Sequence, residues 1–265
     1  MKLGLSTLLL RDHALNRDLL IQFQQAGIEA LELTDYHPGF SFDDTSSFVA
    51  LGKAITELDL HLNSLHIHLE KFDPEFDLAA LDTQQVEKSL AIYRLAVDDM
   101  AAMGGDILVT HDIRIPEPDE DQHGEKRAAF LDHLASIAAY AASQNVRLAL
   151  ENTGRGYTRE PDRLVALMED LAAPNVGVCI DTGHRNLVGD PAAALRTVGR
   201  HLITLHIHDN HGEADEHLLP GDGDISWPDI AQALRDIDYG GVFMYELSRS
   251  EHLSAARRNF ESLDL

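Results

Sequence analysis

The sequence predicts an α/β protein whose strands close into one eight-stranded parallel barrel, and three observations carry that expectation. Short β-like runs alternate with longer amphipathic runs along all 265 residues, giving eight strand-helix pairs. No linker, low-complexity tract or short repeat interrupts them, so residues 1–265 are expected to form a single domain. Polar residues that do not suit a core recur at or near the C-terminal ends of the strand-like runs, where a (β/α)8 or TIM barrel builds its active site. A doubly wound open sheet is the alternative, but it would gather ligands at one switch point and not from strands three to eight.

The first strand is read as Lys2–Ser6, followed by a helix with Leu15, Leu19, Phe23 and Ala26 at helical spacing, which Gly27 ends. Ala30–Thr34 is the second strand; Leu31 and Leu33 would face the helices and Glu32 the interior, an unusual place for a carboxylate without a partner. After a helix near Ser46–Leu58 comes the third strand, Leu60–His68, whose two-residue period puts Leu62, Ser64, His66 and His68 on one face. A helix over Thr83–Met103 stops at Gly104 and Gly105, and DILVTHD then delivers His111. Strict alternation groups His111 with Val109, a mismatch that a bulge at the strand end would absorb. Residues 114–122 read as an acidic, mobile surface loop, and Glu125–Ser143 as an alanine-rich helix. In the fifth strand, VRLALENT, Ala149 and Glu151 point inward; in the sixth, VGVCID, Gly177, Cys179 and Asp181 do. ITLHIHDN turns Thr204, His206 and His208 inward, and VFMYEL turns Met244 and Glu246 inward.

Composition narrows the function. Against 21 Lys+Arg stand 45 Asp+Glu, a formal charge of −24 that repels a phosphate backbone at long range, so nucleic acid is not an expected partner. The single cysteine, Cys179, rules out an intrachain disulfide and fits a reducing, cytoplasmic setting. No apolar run approaches the roughly 20 residues needed to cross a bilayer, and the N-terminal stretch reads as a strand and not as a signal peptide.

The densest chemistry lies between Leu205 and Trp227, LHIHDNHGEADEHLLPGDGDISW, which packs His206, His208, Asp209, His211, Asp215, His217, Asp222 and Asp224 around turn-forming Pro220, Gly221 and Gly223. Mixed imidazole and carboxylate donors suit zinc, manganese and their neighbours, whereas an all-oxygen set would suit calcium or magnesium. A solvated acidic loop is the plainer alternative, and composition alone leaves both open.

In this order, SLHIH, THD, ENT, CIDTGH, LHIHDN, DEHLLPGDG and YELS resemble the xylose isomerase-like TIM barrels, a superfamily that includes sugar phosphate isomerases and epimerases and also endonuclease IV. The resemblance covers essentially the whole chain. It implies His66 and His111 on one metal, Glu151 bridging to a second held by Asp181, His206 and Glu246, and a third on His184, Asp215 and His217. Such a multinuclear zinc centre would hydrolyse a small phosphoester. The isomerase and epimerase branch implies instead one divalent ion, zinc or manganese, within Glu151, Asp181, His206 and Glu246. There Glu151 and Glu246 would be the catalytic carboxylates, moving a proton next to a chelated carbonyl and hydroxyl pair. The segment ENTGRGYT has Arg155 and Tyr157 where ketose 3-epimerases of this superfamily tend to have a further glutamate, and no counterpart to the DNA-penetrating loops of endonuclease IV is found.

A sugar or sugar-phosphate isomerase or epimerase is the leading expectation, with a phosphoesterase second and a non-catalytic binding barrel third. His184 and Arg185 would bind a substrate hydroxyl or phosphate. His68 and His208, each two residues beyond an implied ligand, would contact substrate or support a ligand, and Glu32 is a further site candidate. Trp227 would start a helix as packing or stack on a sugar. Asp222 and Asp224 would shape the turn, and Cys179 would be a small core residue. A homodimer is expected from the resemblance alone.

Overall fold

The computed structural model describes residues 1–42, 44–68, 75–111 and 113–265. Its strands are β1 Lys2–Ser6, β2 Ala30–Thr34, β3 His61–Ile67, β4 Ile107–Thr110, β5 Arg147–Glu151, β6 Val176–Asp181, β7 Leu202–His206 and β8 Val242–Tyr245. All pair in parallel, in the order β7-β6-β5-β4-β3-β2-β1-β8. β7 and β8 meet beyond the regular ladder: Ile207 N–H donates to the Met244 carbonyl at 2.8 Å, and Glu246 N–H donates to the Ile207 carbonyl at 3.0 Å. The strands thus form the nearly closed eight-stranded barrel that the alternating pattern predicts.

Between the strands lie α1 Arg17–Gln25, α2 Thr45–Glu57, α3 Thr83–Met103, α4 His123–Ser143, α5 Pro161–Leu171, α6 Thr182–Asn186, α7 Pro191–Val198, α8 Trp227–Asp236 and the C-terminal α9 Ala256–Ser262. Local chemistry starts and stops them. Asn16, Asp44, Asp82 and Asp190 accept hydrogen bonds from exposed amides in the first turns of α1, α2, α3 and α7. Gly104, at φ 74°, terminates α3 in the left-handed conformation that glycine adopts without steric cost. No helix among the described residues is long and apolar enough to cross a membrane.

Two apolar layers result from the strand alternation. Leu31, Leu33, Leu65, Leu108, Leu148, Leu150, Val178, Ile180 and Leu205 join the helices in one continuous outer core. Ile107, Val109, Ala149 and Cys179 form a small plug inside the barrel. That plug corrects one expectation: Val109 faces inward, so the alternation that groups His111 with it already points His111 into the mouth, and no bulge is needed. Asp112, at the end of the same predicted run, lies outside the described residues. The loop expected to be mobile over residues 114–122 is instead tied down. Ile115 is buried, Arg163 pairs with Glu117 at 2.7 Å, and the His123 Nδ1–H donates to the Pro116 carbonyl at 2.8 Å.

Helices α2 and α3 approach closely at Gly52. A Cβ there would lie 2.6 Å from both the Cα and the carbonyl oxygen of Met103, so backbone and not a flexible side chain blocks it. Overpacking costs about 1–3 kcal/mol, whereas alanine gains at most about 1 kcal/mol over glycine in helix propensity. Gly52→Ala is therefore expected to lower the midpoint of urea unfolding; a midpoint at or above the wild-type value would contradict this packing.

Candidate metal centre at the C-terminal mouth

Five strands carry the central donors to one place. Glu151 ends β5, Asp181 ends β6, His206 ends β7, Glu246 follows β8 and His66 lies near the end of β3. One ligand atom from each of Glu151, Asp181, His206 and Glu246 falls within 4.8 Å of the others, and all four residues are buried. Glu32, His66, His206 and Glu246 form an overlapping group, as do His66, His68 and His111. Glu151 Oε2 is 3.2 Å from both His66 Nε2 and His206 Nδ1, and its Oε1 is 3.2 Å from His184 Nδ1. His66 Nδ1 lies 3.1 Å from Glu246 Oε1.

These short separations include groups that hydrogen bonding does not satisfy. Both Glu151 carboxylate oxygens, His66 Nε2 and His206 Nδ1 are buried without an aligned hydrogen-bond partner. Carboxylate oxygens and imidazole nitrogens that face one another at such distances without aligned hydrogen bonds are costly on their own and suit a cation. The residues therefore fit a divalent metal.

The polar layer behind the donors fixes which nitrogen is presented. His206 Nε2–H donates to Glu32 Oε2 at 2.8 Å, which leaves Nδ1 for the centre. The same Glu32 oxygen accepts from Ser64 Oγ at 2.8 Å. His217 Nδ1–H donates to the Glu246 carbonyl at 2.8 Å and turns Nε2 toward Asp215 Oδ2 at 3.2 Å. His184 Nδ1 faces the Asn152 carbonyl at 3.1 Å, with Nε2 3.5 Å from the same Asp215 oxygen. His68 Nδ1–H donates to Asp35 Oδ1 at 2.8 Å. A protein oxygen that holds one imidazole nitrogen sets the tautomer and ring angle of the other, as second partners of metal-binding histidines do.

Asp181 has two tasks. It is the N-cap of α6, accepting from the His184 amide at 2.6 Å, and this brings His184 up beside Glu151. The Asn152 carboxamide clamps the Asp181 backbone from both sides, accepting from its N–H at 2.7 Å and donating to its carbonyl at 3.1 Å. His208 Nε2 lies 3.0 Å from Asp181 Oδ1, its ring stacked on His217 with centroids 4.0 Å apart. Asp209, one of the acids in the dense loop, is not among the donors. Its buried carboxylate accepts from the amides of Gly221 and Ile225 and from the Trp227 indole N–H, holding in shape the loop that presents Asp215 and His217.

Charge is distributed unequally. Burial raises the Glu151 carboxyl, but the imidazoles of His206 and His66 outweigh it and hold the group well below the usual carboxylate range. Burial is also the largest influence on Glu246 and there it prevails, pushing the carboxyl up to about 7. For His206, burial is overcome by Cys179 and the acids Glu32, Glu246 and Glu151, and the imidazole is raised well above its ordinary value. His66 moves the other way, lowered by burial and by neighbouring His68. His217, opposed by burial, is raised to about 9 by Asp215 and Glu246.

All nine implied metal donors therefore lie around one mouth. Other expected site residues are placed differently. Glu32 is fully buried and accepts from His206, away from the cleft lining. Trp227 starts α8 as core packing, tied to Asp209 and edge-on to Phe243, and does not line the cleft. Arg185 turns away, donating to the Arg159 carbonyl at 3.0 Å. A cleft of about 180 Å³ opens over the donors, lined by His66, His68, His111, His184, Asp215, His217 and Glu246 and also by Leu8, Arg11 and Tyr36. Sequence reasoning missed those last three, together with Asp35, Asn152 and the role of Asp209. Only Asn152 had a signal, in the ENT motif; the others depend on how loops fold over the rim.

An eight-stranded parallel barrel with a cluster of candidate metal donors at its C-terminal mouth defines a class of enzyme-like proteins. A model described as xylose isomerase-like TIM barrel matches residues 21–264, and the chain belongs to that family. The D-psicose 3-epimerase of Enterocloster bolteae is 27% identical over 179 residues, 64% of this chain and 57% of that protein. The chain thus spans little more than half the length of that curated relative. A crystal structure of a D-tagatose 3-epimerase-like protein superposes with a TM-score of 0.84 at 21% identity, over 99% of this chain and 97% of the other. The D-allulose 3-epimerase of a Methylomonas species, crystallised with D-allulose, gives 0.77 at 21% identity over 100% and 92%.

Donors must release protons before they can hold a metal. With Glu246 raised to about 7 and His206 raised well above its ordinary value, both retain protons at and below neutrality. Manganese affinity, measured by titration calorimetry, is expected to rise by roughly tenfold or more per pH unit between about pH 6 and pH 8. An affinity independent of pH over that range would contradict the assignment of these donors.

Proposed function

We propose that this chain is a divalent-metal-dependent epimerase or isomerase of small sugars or sugar phosphates. The observation that carries the reading is the pairing of two carboxylates, Glu151 and Glu246, in one buried four-donor group with Asp181 and His206. The names of the relatives support the substrate class. A zinc or manganese ion would be held by Glu151, Asp181, His206 and Glu246, and would polarise the adjacent oxygens of a sugar carbonyl and hydroxyl.

The chain's own groups then carry the proton chemistry. Glu151, held ionised, is suited to accept the carbon-bound proton next to the carbonyl. Glu246, in the same buried group, is suited to return one to the opposite face through a carboxylate oxygen that stays off the metal. Asp35 steadies His68 and Asn152 steadies Asp181, so that neither has to be ordered by substrate. The cleft of about 180 Å³ suits one small sugar and not a polymer. A reducing, cytoplasmic setting and a homodimer complete the proposal.

A second reading, hydrolysis of a small phosphoester, is favoured by one feature. Glu151 Oε2 stands 3.2 Å from both His66 Nε2 and His206 Nδ1, so Glu151 would be shared if each imidazole held its own ion. Flanking it are the His66, His68 and His111 group and the His184, Asp215 and His217 set. Metal content separates the two readings. One equivalent of metal per chain, by elemental analysis of freshly purified protein, is the expected result; three equivalents of zinc would favour the hydrolase.

Carboxylate replacement tests the chemistry. With D-psicose and L-ribulose as trial substrates, Glu151→Gln is expected to lower epimerisation by roughly 100-fold or more. Glu246→Gln should also abolish inversion while still allowing solvent deuterium to exchange into the substrate, because removal of the proton survives. Wild-type rates in Glu151→Gln would reject the proposed base.

A further inference from the structure

We propose that Arg11 selects an anionic sugar, one bearing a phosphate or a carboxylate at the end remote from the reacting carbons, over a neutral one. The inference rests on the function proposed above and names the substrate class of the same site. Arg11 follows directly on the turn Thr7–Leu10, whose four residues are all buried and whose start is capped by Ser6. The Arg11 N–H donates to the Leu8 carbonyl at 3.1 Å, so the backbone that carries the guanidinium is fixed. The residue is exposed to solvent and lines the cleft, as do Tyr36 and His68, the latter held by Asp35. It is the one arginine or lysine among the described residues that line the cleft.

Its surroundings are unusual for this chain. With 45 acidic residues against 21 basic ones, arginines elsewhere find carboxylates readily: Arg17 meets Glu57, Arg163 meets Glu117 and Arg196 meets Asp236. Among the described residues, Arg11 has neither an ion pair nor a side-chain hydrogen bond, so its five donors are available at the mouth. The cleft walls include Asp215 and Glu246, and the protein carries a net charge of −24, so an anionic substrate would be repelled without a local cation. Arg185, the guanidinium favoured on sequence grounds, cannot serve from its place against the Arg159 carbonyl. A sugar whose reacting oxygens sit over the donors at the base of a cleft this small would extend its far end toward the mouth. There Arg11 presents a planar fork that matches two oxygens of a phosphate or carboxylate.

The test is calorimetric binding to the whole 265-residue chain loaded with manganese, with D-fructose, D-fructose 6-phosphate and D-gluconate as probes. Wild type is expected to bind at least one anionic probe more tightly than D-fructose. Arg11→Ala should weaken that probe by roughly ten- to a hundredfold, leave D-fructose within about twofold, and leave the thermal midpoint unchanged. Loss confined to D-fructose 6-phosphate assigns a phosphate, loss confined to D-gluconate a carboxylate, and loss of both a general anion site. Equal affinities for the anions in wild type and Arg11→Ala, or a wild type that does not prefer either anion, overturn the proposal. Because binding is read without turnover, anion selectivity with no epimerisation of any sugar would sink the function and spare Arg11. Epimerisation of neutral sugars with no anion preference would do the reverse.

Discussion

Everything at the mouth of this barrel depends on the burial of Glu151. Its two carboxylate oxygens are withdrawn from water and lack an aligned hydrogen-bond donor, while three imidazoles stand 3.2 Å away. A fully desolvated carboxylate in that state is among the most expensive groups a fold can carry. Only nearby positive charge offsets the cost. Imidazoles raised toward protonation provide some of it, and a divalent cation shared with Asp181, His206 and Glu246 would provide it more completely.

The parallel barrel makes this concentration possible because each strand ends at the same rim and adds one or two inward side chains there. What the barrel does not supply is orientation, and a second layer of oxygens does. Glu32 behind His206, Asp35 behind His68, the Asn152 carbonyl against His184 and the Glu246 carbonyl against His217 each occupy one ring nitrogen. Asp209 does the corresponding work for a whole loop, gathering the Gly221 and Ile225 amides and the Trp227 indole so that Asp215 and His217 arrive over the mouth. The same distribution leaves Glu151 and Glu246, so close in space, with opposite tendencies toward the proton.

Much of this was legible in the chain before any coordinates. Period-two alternation located Glu151, Asp181, His206 and Glu246 on inward faces, because one buried layer of apolar residues alternates with them along each strand. It also located His111, although reading Val109 as outward-facing obscured this; the interior plug of Ile107, Val109, Ala149 and Cys179 is apolar too, and hydropathy cannot tell an inner apolar layer from an outer one. Glu32 was recognised as misplaced without its purpose being visible, since its partner His206 is 174 residues away. Arg11 and Tyr36 carry no periodic signal, for they sit in connections whose path over the rim is decided by packing. Arg185 shows the limit from the other side: the correct residue type, beside a proposed ligand, carried off the mouth by the step of about 100° between consecutive residues of a short helix.

The central claim is that the buried lone pairs around Glu151 enclose a cation. Crystals of the manganese-loaded protein, measured on either side of the manganese absorption edge, test it most directly. An anomalous peak bounded by Glu151, Asp181, His206 and Glu246 is the predicted result, whereas manganese bound only at other positions, with these four side chains hydrogen-bonded to water or to one another, would contradict the account.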